Sequence, residues 1–141
     1  MARILTNLSL PDAVDAALAR LVSVRHTEGV SHVHLPIFYP SGAAVTVSVE
    51  RTADGYLVSD EGFAFREVAL VGADDRFPEE AKGVADASGL RASTRAVSAI
   101  ADVDSLAGTI ADVAAASAQI AHEIAAQAEE RHDATTTALR E

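Results

Sequence analysis

Residues 43–59, AAVTVSVERTADGYLVS, contain the pattern that most restricts the fold of this chain. Every second residue from 45 to 49 is a valine, and this period of two is typical of a strand with one buried face. The dipeptide Asp54-Gly55 follows and favours a tight turn, because both residues tolerate a positive φ. Residues 56–59 then form the returning strand. The sequence therefore predicts an antiparallel β-hairpin with one apolar face that other elements must cover.

Two further stretches have strand character. Residues 31–39, SHVHLPIFY, alternate in the same way, and Pro36 predicts an edge strand because proline cannot donate a hydrogen bond to a neighbour. Residues 90–93 and 96–101 are short and rich in alanine, and we interpret them as a second hairpin. The predicted sheet thus consists of hairpins over about 31–59 and 90–101.

Helical patterns occupy the two ends of the chain. Ser9 can cap a helix whose apolar residues recur at helical spacing over about residues 10–24, and Pro11 is tolerated in its first turn. A modest helix is predicted over 78–87, with Gly89 at its end. The longest helix is predicted over about 105–131, with Asp102 or Asp104 as its cap.

Apolar residues follow a spacing of four and three along this long helix: Leu106, Ile110, Val113, Ile120 and Ile124. Ser117 lies in the same row. Alanines flank the row, so another helix can approach closely. The N-terminal helix is the expected partner, and a second copy of the chain is the alternative, which would make the protein a homodimer.

Together these elements predict an α+β fold in a single domain over 1–141. We expect a small antiparallel sheet of about three to five strands, helices on one of its faces, and a long C-terminal helix packed on or near the N-terminal one. A length of 141 residues suits one domain with one core.

The charge of the chain limits its partners. The net charge is −10, so nucleic-acid backbones and anionic membranes would repel it. The chain has no cysteine, no signal-peptide pattern and no apolar run near the ~20 residues that span a bilayer. We expect a cytoplasmic protein.

The middle of the chain is its most acidic part, with ten carboxylates and four basic side chains over residues 50–86. This imbalance predicts an acidic surface for a protein partner with a basic surface, or else simply a solubilising surface. The residues assigned to that surface are Glu50, Asp54, Asp60, Glu61 and Glu67.

Asp60 and Glu61 also raise the question of catalysis. Asp60 follows a predicted strand and precedes a predicted helix, where a carboxylate accepts backbone N–H groups as a cap. The chain contains no nucleophile-elbow or phosphate-loop motif. We interpret both residues as architecture and surface charge, and we predict neither an enzyme nor a cofactor.

Histidines offer the main alternative. His32 and His34 lie two residues apart on a predicted strand, so their rings point the same way. With His26, and with Glu50 on the next strand, they would provide ligands for zinc or iron in a metal-dependent enzyme. The other interpretation places His32, His34, Thr46 and Ser48 on the polar face of the sheet, either exposed to solvent or docking a partner.

The stretch HLPIFYPSGAAVTVSVERTADGYLVSDEGFAFREV resembles a family of small bacterial and phage proteins catalogued as domain of unknown function 1828. The resemblance covers about residues 30–70 and includes the early Pro36, the hairpin, and the VSDEG segment that ends at Gly62. It implies an α+β fold and an association with prophages, and it implies no reaction. We therefore expect a non-catalytic protein-binding module, such as a phage-encoded inhibitor of a host-defence complex of the anti-CRISPR kind.

Overall fold

The computed structural model describes the backbone of residues 8–140 and the side chains of residues 8–131. Within that part of the chain, four α-helices, a 3-10 turn and six strands follow one another. In chain order they are α1 (Leu10–Leu18), β1 (Ser23–Thr27), β2 (Val30–Phe38), β3 (Ala44–Thr52), β4 (Gly55–Ser59), α2 (Phe63–Ala69), the 3-10 turn Asp74–Arg76, α3 (Phe77–Ser88), β5 (Arg91–Ala92), β6 (Val97–Ala101) and α4 (Leu106–Arg140).

The six strands form a single sheet in the order β1-β2-β3-β4-β6-β5, and every neighbouring pair is antiparallel. The hairpin predicted at Asp54-Gly55 joins β3 to β4. Gly55 has a φ of 136°, and a Cβ there would lie 2.6 Å from the carbonyl oxygen of Ala101 on β6. The second predicted hairpin is also present, because β5 pairs with β6. The α+β prediction is confirmed, with six strands instead of three to five.

The extra strand is β1, which begins within the last residues of the predicted first helix and continues past its predicted end. The helix ends at Leu18 instead of continuing to residue 24, and Arg25 and His26 belong to a strand. A tight turn at Gly29, with a φ of 79°, folds β1 back onto β2. The prediction was wrong because Val22 and Val24 fit a helical stripe and a strand equally well, and pairing with β2 decides between them.

Pro36 does not mark an edge. Its strand β2 lies between β1 and β3. Strand β1 pairs with β2 only as far as His34, and the pairing with β3 shifts register between His34 and Phe38, so neither neighbouring strand pairs with Pro36. The missing N–H therefore costs no sheet hydrogen bond, which is how proline is tolerated inside a sheet.

Helices α2, α3 and α4 cover one face of the sheet, which we call the inner face. Valines 45, 47, 58 and 97 from the strands meet Phe77 of α3 and the buried side of α4 in one apolar core. Small side chains dominate this core, so close approach of the elements supplies the contact area. The predicted N-terminal partner of the long helix is not there: α1 has no buried residue.

The apolar row of α4 is therefore core. Val113, Ile120 and Ile124 are fully buried, while Leu106 and Ile110 are partly buried against the same core. This overturns the alternative of a homodimer built on that row, because the sheet already occupies it. The helix begins after Asp102, whose carboxylate accepts the N–H of Ser105 at 2.8 Å. Its backbone remains helical to Arg140, nine residues beyond the predicted end.

Candidate functional site

The turn after β4 is built around the side chain of Asp60. This carboxylate is completely buried. Its Oδ1 accepts the N–H groups of Gly62 at 3.0 Å and Val97 at 3.2 Å, and its Oδ2 accepts the N–H of Ala64 at 3.4 Å. Asp60 thus accepts N–H groups at the start of α2, as the sequence predicted, although Gly62 and not Asp60 is the N-cap residue, and it also ties that turn to strand β6.

A hydroxyl chain extends this network across the core. Ser117 of α4 donates to Oδ2 of Asp60 at 2.7 Å. The phenol oxygen of Tyr39, the residue that follows β2, lies 2.7 Å from the Ser117 Oγ. Because the single proton of Ser117 is used on the carboxylate, Tyr39 donates to Ser117. The Asp60 carboxylate therefore joins β6, α2 and α4 directly, and Ser117 extends the link to Tyr39 after β2.

Burial is the main influence on the pKa values of Asp60 and Tyr39 in this hydrogen-bonded network. It raises the pKa of Asp60, against the opposing effect of the Ser117 hydroxyl and the three backbone N–H donors. Burial likewise raises the pKa of Tyr39, which keeps the phenol protonated. Ser117 and Asp60 are both fully buried, so a substrate has no path to them in this structure. The network is an anchor for the fold, and Asp60 cannot belong to the predicted acidic surface.

The residue after this anchor has an unusual backbone. Glu61 has a φ of 53° and is the one non-glycine residue with positive φ among those described. The side chain of Ser59 accepts its N–H at 2.9 Å, and the next residue, Gly62, is also left-handed with a φ of 78°. A non-glycine residue pays roughly 1–2 kcal/mol for this conformation. The buried Asp60 network over-determines the turn and holds Glu61 in it.

Glu61 lies beside His32, on the face of the sheet opposite the inner face. Strand alternation places on that face, which we call the open face, the side chains of Arg25, His32, His34, Thr46, Ser48, Glu50, Leu57, Ser59, Ser98, Ile100 and Arg91. Among the described elements, helices α2 to α4 pack on the inner face and leave this one uncovered.

The centre of the open face is polar and well packed. His32 lies opposite Ser48, and its Nε2 is 3.8 Å from a carboxylate oxygen of Glu61. His34 hydrogen-bonds through Nδ1 to the Thr46 hydroxyl at 2.9 Å. The Nδ1 of His32 is buried and has no hydrogen-bond partner in the described part of the chain. The structure thus brings together the four predicted face residues His32, His34, Thr46 and Ser48, and their docking role stays a prediction.

The predicted acidic residues do not share one surface. Glu50 and Glu61 belong to the open face, and Asp54 lies at the tip of the β3–β4 hairpin. Glu67 lies on α2 and accepts the hydroxyl of Ser41 at 2.9 Å, on the helical side of the molecule. Only the first three can contribute to a common surface around the open face.

The histidine metal site is wrong in its geometry. His26 pairs with Ser31, one position out of phase with His32 and His34, so its ring lies on the opposite side of the sheet. Its Nδ1 contacts the Ser31 hydroxyl at 2.7 Å instead. Over residues 8–131, no three His, Asp or Glu side chains come together in an arrangement that would hold a metal ion.

Tyr39 and Ser117 are the site residues that sequence reasoning missed. Ser117 did carry a signal, because it is a polar residue in an otherwise apolar row of a buried helix, and such residues need a buried partner. The identity of the partner carried none: Tyr39 is 78 residues away in sequence and Asp60 is 57.

No family model, no curated protein and no solved structure matches this chain. The resemblance to the family of unknown function therefore stays a prediction. Within residues 8–140, the helices also lack the apolar length that crossing a bilayer requires.

Proposed function

We propose that this chain is a non-catalytic protein-binding module whose docking surface is the open face of the sheet. The observation that carries the proposal is Glu61. Its strained backbone holds a carboxylate beside His32 on a face that the described helices leave uncovered. Glycine would adopt this φ without strain. Because glutamate occupies the position in spite of the strain, we infer that its side chain has a role beyond the turn.

The face has the composition of a protein-docking surface. Hydroxyls and imidazoles of Thr46, Ser59 and His34 offer directional hydrogen bonds, and Leu57 and Ile100 offer apolar area beside them. Such a mixture of polar and apolar groups is typical of interfaces that form and dissociate. The strands beneath it are fixed by the core, so docking costs little ordering of the chain.

The centre of the open face favours a partner with basic groups, with Arg25 and Arg91 confined to the two edge strands. Glu50 and Glu61 are exposed, and Asp54 lies at the adjacent hairpin. Lysine or arginine side chains of a partner would meet these carboxylates, and the net charge of −10 would accelerate the encounter. A partner surface that normally binds nucleic acid carries such basic side chains, as in a host-defence complex of the CRISPR kind. The module would act by occluding that surface.

Charge reversal on the open face tests the proposal. The wild-type chain serves as bait in a host lysate, beside the variant Glu50→Lys/Glu61→Lys and the control Glu129→Lys/Glu130→Lys, which makes the same change on the exposed side of α4. We expect a partner that the wild type and the control retain, that the face variant loses, and that salt elutes. Equal retention by both variants, or retention indifferent to salt, would overturn the proposal.

A single glycine substitution separates function from folding at the same position. Glu61→Gly removes the left-handed strain, so the free energy of unfolding should rise by up to about 1 kcal/mol. Partner retention should fall, because the carboxylate is gone. Urea unfolding and the same bait assay measure the two effects. A variant that binds as well as the wild type shows that Glu61 serves only the turn.

A further inference from the structure

The first described stretch of the chain stands apart from the core. We call residues 8–27, which contain α1 and β1, the N-terminal arm, and every residue in it is exposed. Seven of the twelve large apolar side chains that are exposed among the described residues belong to it: Leu8, Leu10, Val14, Leu18, Leu21, Val22 and Val24. Their concentration in seventeen positions marks an interaction surface, because scattered single residues are what an ordinary surface shows.

Within the part of the chain that the structure describes, helix α1 buries no side chain against another element. It has nine residues and none of them is buried. Isolated helices shorter than about 12–15 residues are marginal in water, and the single hydrogen bond from Asp12 N–H to the Ser9 hydroxyl does not change that. A well-formed α1 therefore requires that its apolar stripe of Leu10, Val14 and Leu18 be covered.

From this we infer that the N-terminal arm pairs with the arm of a second copy of this chain, with the two α1 helices antiparallel. This goes beyond the proposed docking function and uses a different surface. Charge favours the second copy as occupant. The whole chain carries −10, but the arm carries two acids and two bases and is neutral. It is the region where two such chains can approach without repulsion.

The arrangement of those charges sets the direction. Asp12 lies in the first half of α1 and Asp15 just past its midpoint, while Arg20 follows its end. In an antiparallel pair the acidic start of one arm lies beside the basic end of the other, whereas a parallel pair would set like charges together. A two-fold axis produces this arrangement with one patch on both copies.

The helix surface also has room for a partner side chain. Leu8, Ala13, Ala16, Ala17 and Arg20 line a shallow groove of about 340 Å³ beside the apolar stripe. Alanine lets a second helix come close, so a leucine of the other copy can enter this groove. Pairing through the edge strand β1 is disfavoured, because an antiparallel register centred on that strand opposes Arg25 to itself.

Sedimentation equilibrium of the full chain over a range of concentrations tests the inference. We expect a dimer for the wild type. Val14→Asp and Leu18→Asp should each weaken dimerisation by about tenfold or more, because each replaces an apolar side chain that the dimer would bury with a carboxylate. Both should retain the wild-type circular dichroism of the core, because neither residue is buried within one chain. Leu70→Asp and Val103→Asp, at apolar residues exposed elsewhere, are the matched controls and should remain dimeric.

A mixing experiment tests whether opposite charges of the two arms pair across the dimer. Asp12→Arg/Asp15→Arg makes the arm wholly basic, and Arg20→Asp makes it acidic; each variant alone should be monomeric, and an equimolar mixture should form the heterodimer. The inference is overturned by a monomeric wild type at every concentration, by a dimer that survives Leu18→Asp, or by a monomer that uses Leu18 to bind another protein. Failure of the mixture alone would overturn the pairing of opposite charges between the two arms.

Discussion

Helices α1 and α4 are both amphipathic, yet the structure treats them in opposite ways. Helix α4 buries its apolar row under the sheet and supplies Ser117 to the buried carboxylate of Asp60. Helix α1 carries an apolar stripe of similar spacing and buries none of it. Periodicity thus identifies which side of a helix is apolar, and the rest of the molecule decides whether that side meets its own core or another molecule.

The largest contrast should come from truncating one apolar residue in each helix. Ile120→Ala leaves a cavity in the core and should lower the free energy of unfolding by about 2–5 kcal/mol. Leu18→Ala, made on the exposed stripe, should change the free energy of unfolding of a single chain by less than about 0.5 kcal/mol. Urea unfolding at low protein concentration measures both. Equal losses would show that α1 packs on its own core.

Substitution of Asp60, which anchors the region that the helices cover, is expected to lower the free energy of unfolding almost as much as Ile120→Ala. Asp60→Ala leaves the N–H groups of Gly62 and Val97 buried without acceptors, at a cost of about 3 kcal/mol. Glu61→Ala changes the neighbouring exposed residue and is the matched control, with a loss below about 1 kcal/mol. An Asp60→Ala variant as stable as its control would remove Asp60 from the centre of this account.

Around Asp60, the sequence predicted the features that depend on neighbouring residues and missed those that depend on contacts between distant residues. The Asp54-Gly55 hairpin and the capping role of Asp60 follow from neighbouring residues, and both were predicted. The position of α4 was not, because its contacts with β3 and β4 join residues far apart in sequence. Local patterns also failed at two places. Val24 in β1 suits a helix and a strand alike, and Pro36 lies in an inner strand at a point where neither neighbouring strand pairs with it.

The hydroxyl chain allows a finer test of the same anchor. Ser117→Ala removes the donor to Asp60 and the acceptor of Tyr39, and it should cost about 1–2 kcal/mol. Tyr39→Phe keeps the Ser117 to Asp60 bond and should cost less, about 1 kcal/mol. Chemical unfolding of both variants, with the double variant, measures their coupling. Strictly additive losses would show that the hydroxyls do not act as one chain.

The smallest expected effects are opposite dependences on pH at two aspartates. The folded-state pKa of Asp60 is raised above 3.8, so its contribution to stability is complete below 3.8 and is lost as pH rises through the folded pKa. The pKa of Asp102 is lowered by the Ser105 N–H and hydroxyl, so its contribution is present above 3.8 and is lost as pH falls through the folded value.

The matched variants Asp60→Asn and Asp102→Asn measure these two contributions. Relative to Asp60→Asn, the wild type should lose stability as pH rises. Relative to Asp102→Asn, it should lose stability as pH falls. Urea titrations from about pH 3 to 7 follow both differences. Differences that run in the same direction would show that burial does not dominate at Asp60.

Amide hydrogen exchange compares the two helices in one sample and tests the central claim, that the core closes over α4 and leaves α1 for another molecule. Peptides covering residues 110–124 should be strongly protected at every protein concentration. Peptides covering residues 10–18 should exchange fast in dilute protein and gain protection as concentration rises. Protection of residues 10–18 that is equally strong at all dilutions would contradict the account, because α1 would then be held by its own chain.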